Sequence, residues 1–206
     1  MLITNWKPYC VSRGKMRRPI WYVTLFPRGV ECIFVRQAEQ LGLGHAVLCS
    51  ERAVGRDPFA VLLADDFLTD YKPGVTKDLV RAFGDTGKIQ LSVMKVDGTD
   101  ISKYGVVVPN VSGNGIAGLV EKPDARDAPS NLASIGRYVL TTDIFDTLRG
   151  LSEGSGGEIQ LADAINIHAN KGLVETVLLN GRRFDCGSVN GFMLATSYEY
   201  QKRNSN

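Results

Sequence analysis

No stretch of the 206 residues approaches the roughly 20 consecutive apolar residues of a membrane-spanning helix. A membrane partner is excluded on that ground. Histidine is nearly absent: His45 and His168 are the two copies, far apart, and neither joins a Ser-His-Asp or Cys-His arrangement. His168 falls in a helical pattern and reads as a surface or packing residue. The four cysteines, Cys10, Cys32, Cys49 and Cys186, lack metal-ligand spacing and the density of a disulfide scaffold. Cys32 and Cys49 fall in apolar-patterned stretches, which suits buried free thiols in a reducing, cytoplasmic compartment. Excess charge is missing too. Lys and Arg number 24 and Asp and Glu 22, a formal net charge of +2, which argues against a general nucleic-acid binder.

Acidic residues are missing altogether from the first 30 positions, which hold Lys7, Arg13, Lys15, Arg17, Arg18 and Arg28, and both tryptophans, Trp6 and Trp21. This segment has no apolar core of the secretory type. Pro8, Gly14 and Pro19 interrupt the amphipathic helix that an organelle transit peptide would need. Ile20–Phe26 is strand-like by β-branched and aromatic content. No chemistry is legible before Val30, and the chain divides into a segment 1–29 of different character and a domain 30–206. There is no internal repeat and no low-complexity linker.

What is present starts from Phe59-Ala-Val-Leu-Leu-Ala-Asp65-Asp66. Six apolar residues ending in two carboxylates read as a strand buried on both faces, hence a largely parallel sheet covered by helices. Ligands in such sheets sit beyond the carboxyl ends of the strands, where Asp65 falls. Asp65 and Asp66 as simple turn caps explain these eight residues equally well. Around this strand the pattern predicts strands at Val30–Val35, Ile89–Val96, Val174–Leu179 and Arg183–Asp185. It predicts helices at Leu43–Val54, at Thr76–Phe83 stopping near Gly84, at Thr142–Leu148, at Glu158–Asn170, and from a Ser188 cap to about Lys202. Tyr104–Val108, Ile116–Val120 and Ile135–Leu140 read as short strands of a β region inserted into an α/β frame.

Several residues in this pattern can carry chemistry. Gln37 has both donor and acceptor for a base edge, and Gly42 and Gly44 open a helix where a ligand can approach the backbone. An ordinary αβ turn accounts for the same glycines. Asp185-Cys186-Gly187 repeats the logic of Asp65, a carboxylate after a short strand. Two such aspartates can hold one Mg²⁺, with water and phosphate completing its shell; a helix cap is the plainer reading of Asp185. Glu121 can accept hydrogen bonds from sugar hydroxyls and Lys122 can meet a phosphate, while a surface ion pair explains both as well. Gly105 offers a strand position without a side chain for a ligand ring. Glu158 reads as a first-turn acid or a sugar contact. Asp163, one turn on, reads as a solvated or capping group.

Eight segments taken together resemble the bacterial UTP–glucose-1-phosphate uridylyltransferases, or UDP-glucose pyrophosphorylases. They are Val35-Arg-Gln-Ala-Glu-Gln-Leu-Gly-Leu-Gly-His-Ala-Val47, Val61-Leu-Leu-Ala-Asp-Asp66, Tyr104-Gly-Val-Val107, Val120-Glu-Lys-Pro123, Pro129-Ser-Asn-Leu132, Gly136-Arg-Tyr-Val139, Gly157-Glu-Ile-Gln-Leu161 and Phe184-Asp-Cys-Gly187. They keep the family order from about Val30 to about Ala195, and eight short motifs in order are specific where each alone is weak. The resemblance implies a Rossmann-like nucleotidyltransferase fold with a mostly parallel sheet and an inserted β region. It implies UTP and glucose 1-phosphate, or UDP-glucose, as ligands and Mg²⁺ as cofactor. It places Gln37 and Gly42 at the uracil, Asp65 and Asp185 at the metal, and Gly105, Glu121 and Glu158 along the glucose. It places Lys122 at the sugar phosphate, with Lys122 and Asp65 as the catalytic pair. The reaction it implies is attack of a glucose 1-phosphate oxygen on the α-phosphorus of UTP with release of pyrophosphate, which asks for positioning and charge neutralisation. A homo-oligomer is left open.

Two departures stand out. The family's glycine-rich loop, G-x-G-T-R-x-x-P-x-T-K, has no counterpart; Arg13-Gly-Lys-Met-Arg-Arg-Pro19 is a chance likeness. Ala64 stands where the family has proline. The expectation is a truncated domain without its N-terminal strands, with Val30–Val35 lacking a partner and one edge of the Phe59–Ala64 strand bare. A bare apolar edge invites aggregation. A sugar-nucleotide-binding remnant without activity, or a non-functional fragment, is the alternative reading.

Overall fold

The computed structural model describes residues 2–4, 30–70, 72–110 and 115–205. The strand expected at Ile20–Phe26 lies outside them. Among the described residues, no helix is long and apolar enough to cross a membrane.

A twisted sheet carries the fold. Its strands in chain order are β1 (Leu2–Thr4), β2 (Phe59–Leu62), β4 (Ile89–Lys95), β5 (Gly105–Pro109), β6 (Ile116–Glu121), β7 (Leu132–Leu140) and β8 (Val174–Leu178). Their spatial order is β1-β2-β7-β4-β8, with β5 and β6 branching from β7. A second sheet of two strands pairs β3 (Asp66–Thr69) with β9 (Arg182–Asp185). The helices are α1 (Gly42–Cys49), α2 (Glu51–Val54), α3 (Val75–Thr86), α4 (Asp143–Gly150), α5 (Leu161–Ala169) and α6 (Val189–Asn204).

Strand side chains alternate between the two faces, and each face has its own core. Phe59, Val61, Ile89, Leu91 and Leu140 pack with Val47 of α1, Ile144, Phe145 and Leu148 of α4, and Leu161 and Ile165 of α5. Phe59 stacks on Phe145 with ring centroids 5.0 Å apart. On the opposite face Ala60, Ile135 and Val139 meet Val75 and Leu79 of α3. Helices thus cover both faces, as the apolar Phe59–Leu62 run requires.

The mostly parallel pairing expected from the strand–helix alternation needs correction. Among the described pairs only β4 with β8 is parallel. The strands β2, β4 and β8 do share a direction. However, β7 lies between β2 and β4 and runs against both. Alternation fixes strand direction but not the order of strands across the sheet. Here the last strand of the supposed insertion became the centre of the frame.

Val30–Val35 forms no strand, and Val30, Ile33, Phe34 and Val35 are exposed. β-propensity is realised only against cross-strand neighbours, and no described strand pairs with this segment. The β2 edge that was expected to be bare is paired antiparallel with β1, Leu2 opposite Leu62 and Thr4 opposite Ala60. The helix expected over Leu43–Val54 breaks at Ser50, whose hydroxyl donates to the Val47 carbonyl at 2.6 Å. Helix α3 runs through Gly84 and ends at Gly87, which is left-handed at φ +67° and donates to the Phe83 carbonyl. Glu158 does not open a helix. It is extended, and α5 begins at Leu161. Ser188 caps α6 as expected, accepting from the Gly191 N–H at 3.0 Å.

Candidate active site

The two-stranded sheet brings the chain's separated carboxylates together. Asp66 of β3 lies opposite Asp185 of β9, so Asp65 is carried to the same end of the sheet. The Cys186 N–H donates to the Asp65 carbonyl at 2.7 Å, and the Gly187 N–H to Asp185 Oδ1 at 3.0 Å. A Cβ placed on Gly187 would sit 3.1 Å from Asp185 Oδ1 and 3.3 Å from Asp65 Oδ2. One point therefore lies within reach of both carboxylates, and glycine leaves it open. Among the described residues no group of three or more His, Cys, Asp or Glu could hold a metal. Mg²⁺ needs one or two carboxylates when water and phosphate supply the rest, so Asp65 and Asp185 fit it.

A buried ion pair underlies this junction, and sequence reasoning missed it. Asp66 is 4% exposed and Arg183 12%. Asp66 accepts from Arg183 Nε and from the Gly136 N–H, each at 2.5 Å. Arg183 also donates to the Tyr104 hydroxyl at 3.1 Å and stacks over that ring. Burial pulls the Arg183 guanidinium down, but the adjacent Asp66 carboxylate more than offsets it and the net shift is upward. Arg137 donates to the carbonyls of Leu63, Gly136 and Asp66 at 2.7–3.0 Å, and burial shifts it downward. A Cβ on Gly136 would stand 2.6 Å from Leu63 Cβ and 2.7 Å from Asp66 Oδ2. Asp66 and Gly136 were visible within matching motifs. What was missing was the Arg183 partner, which only the strand pairing supplies.

A cleft of about 230 Å³ opens beside Asp65, lined among others by Leu43, Tyr104, Gly105, Glu121 and Gln160. Gly105 and Glu121 are register partners across β5 and β6, and a Cβ on Gly105 would be 3.1 Å from Glu121 Oε2. The missing side chain thus leaves Glu121 unobstructed. Lys122 follows with φ +43°, its N–H bonded to the Tyr104 carbonyl at 3.0 Å. Its side chain is 65% exposed, and its ammonium lies 3.9 Å from Glu121 Oε1. Burial pushes the Tyr138 phenol, at the same cleft, up to about 12, so it stays protonated.

The third group of expected residues lies at the entrance to α1. Gln37 Nε2 donates to the Gly42 carbonyl at 3.1 Å and stands 3.0 Å from His45 Nδ1. Gly42 has φ +86°, and a Cβ there would be 2.9 Å from Glu158 Cβ. The Gly44 N–H donates to the Ile159 carbonyl at 2.9 Å, where a Cβ would intrude to 2.6 Å. These glycines admit the 158–160 segment of the chain itself. Glu158 accepts from Gln160 at 2.6 Å and stands outside the cleft lining, apart from Gly105 and Glu121. Cys32, Cys49 and Cys186 are free and half-buried rather than fully buried.

The chain has a mixed α/β fold with acids gathered beyond the strand ends, where open α/β sheets bind their ligands. The chain belongs to the nucleotidyl transferase family, which residues 13–202 match. Within it, the chain is similar to UTP–glucose-1-phosphate uridylyltransferase of Pseudomonas aeruginosa, 42% identical over 177 residues, 83% of this chain and 63% of the relative. It is similar to UDP-glucose pyrophosphorylase complexed with UDP-glucose, with TM-score 0.77 and 40% identity over 82% of this chain and 65% of that one. It also resembles UTP-bound UGPase from Acinetobacter baumannii, with TM-score 0.76 and 36% identity over 85% of this chain and 62% of that one. The chain thus spans about 63% of the length of the curated P. aeruginosa relative.

Proposed function

We propose that this chain binds UDP-glucose, and UTP with glucose 1-phosphate, together with Mg²⁺, as a UTP–glucose-1-phosphate uridylyltransferase. The observation that carries the reading is the meeting of Asp65 and Asp185 at Gly187, beside the cleft that Gly105 and Glu121 line. Bound Mg²⁺ would neutralise phosphate charge during uridylyl transfer. Asp65 and Asp185 would hold the cation at the phosphates. Glu121 accepts from sugar hydroxyls over the space left by Gly105, and the exposed Lys122 meets the sugar phosphate. Gln37 and Gly42 face the uracil; Glu158, which the family resemblance puts at the glucose, lies beside Gly42 and outside the cleft that Gly105 and Glu121 line. The free thiols support a reducing, cytoplasmic setting.

A second reading is a site that binds the sugar nucleotide without turnover. It is favoured by Gln37, whose amide already serves Gly42 and His45. Two measurements separate the readings. UDP-glucose with Mg²⁺ should raise the melting temperature under either, by about 2.7 kcal/mol of stability at a hundredfold excess over Kd. Pyrophosphate release from UTP and glucose 1-phosphate should occur only under the first. It should vanish in Asp65→Ala and Asp185→Ala, and Lys122→Ala should weaken sugar-phosphate use most. No melting shift and no pyrophosphate would overturn both.

A further inference from the structure

Asp185 is an exposed residue at the end of a four-residue strand, a poor platform for a metal ligand. Its backbone pairs with Asp66 of β3 on one side and rests against the start of α6 on the other. The Ser188 hydroxyl donates to the Asp185 carbonyl at 3.2 Å and accepts from the Gly191 N–H at 3.0 Å. The Phe192 N–H donates to the Ser188 carbonyl at 3.0 Å, closing the first turn. Most telling is Gly191. A Cβ on this residue would lie 1.7 Å from the Asp185 carbonyl oxygen and 2.7 Å from its carbonyl carbon. No side chain fits there, because the helix backbone lies directly against the Asp185 peptide.

We propose that Gly191 and Ser188 are positioning residues for the Asp65–Asp185 cation site. They act by pressing the Asp185 peptide against the first turn of α6. The inference rests on the metal reading given above. The fixed peptide sets the direction of the Asp185 carboxylate, which the Gly187 N–H holds from the other side. The link into this turn reaches the second acid, because the Cys186 N–H is bonded to the Asp65 carbonyl. A shift of the helix start would therefore move both carboxylates relative to one another.

Gly191→Ala must displace either the helix start or the Asp185 peptide. Ser188→Ala removes the hydroxyl bridge with no steric intrusion, and Ser188→Thr keeps the hydroxyl. The probe is Mn²⁺ alone, titrated into the full chain and followed by the loss of the free-ion electron paramagnetic resonance signal. Melting temperature is recorded in parallel. Gly191→Ala and Ser188→Ala should each weaken Mn²⁺ binding about tenfold, the scale of losses around metal ligands, and Ser188→Thr should restore it. A melting-temperature drop in folded Ser188→Ala with unchanged Mn²⁺ affinity would show a purely structural cap and overturn the proposal. Asp185→Asn keeps this test apart from the metal reading. If Asp185→Asn binds Mn²⁺ as the natural chain does, the metal reading itself fails. If Asp185→Asn abolishes binding while Ser188→Ala does not weaken it, only the positioning role fails.

Discussion

The most consequential single side chain is Asp66. The Arg183 guanidinium and the Gly136 N–H converge on its almost wholly buried carboxylate, and Arg137 donates to its main-chain carbonyl. Removing one partner of such a pair leaves the other charge buried and unmatched. Asp66→Asn should therefore cost about 3 kcal/mol in chemical denaturation, far more than an exposed ion pair would. His168 offers a second test. It is 2% exposed, its Nε2 lies 3.0 Å from Thr147 Oγ1, and its Nδ1 is 3.6 Å from Asp143. Burial holds its pKa below the ordinary value, against the pull of Asp143 and with the push of Lys171. The unfolded chain takes up a proton near pH 6.5 that the folded chain resists, so stability should fall as pH drops below about 6.5. Melting temperatures between pH 7.5 and 5.5 would show this slope, and His168→Gln should flatten it. The sequence pattern had His168 as a packing or surface group, and packing is what burial selected. Asp65 was legible because it ends an apolar run, and Asp185 because it follows a short strand and precedes Gly187. Arg183 was not, because nothing local to it points to Asp66.

Elements were legible where a face is buried and a cap is local. Helix α6 starts at its serine and α5 ends before Gly172, as patterned. Errors fell where tertiary contact overrides propensity. Val30–Val35 has strand composition without a neighbour, and Glu158 has helix-start chemistry but pairs with Gln160 instead. One tie between elements is invisible to pattern altogether. The Asn166 amide of α5 accepts from the Leu119 N–H at 2.6 Å and donates to its carbonyl at 3.1 Å, acting as a strand neighbour for β6. Asn166→Ala would strip both partners from a buried backbone residue and should destabilise the protein by about 2 kcal/mol. Denaturant midpoints should reveal that loss. Hydrogen exchange should show it concentrated at β6 rather than at β2.

At the scale of the molecule, two apolar clusters among the described residues remain in solvent. Ile33 and Phe34 are exposed in the irregular segment before α1. Val189, Phe192, Met193 and Tyr200 recur at helical spacing on α6. The protein should self-associate as concentration rises, and added salt should not reverse it. Light scattering of an Ile33→Lys, Phe34→Glu double variant should show less association if the first region is responsible. The class of fold was readable from the alternation of strands and helices. Its strand order was not, and the reason lies in β7. This strand is made well after β2 and β4 yet lies between them. A growing polypeptide must keep a strand-wide gap between two sticky ribbons until residues 132–140 leave the ribosome. Lateral closure of that gap by a neighbouring chain is the hazard of synthesis that this topology carries.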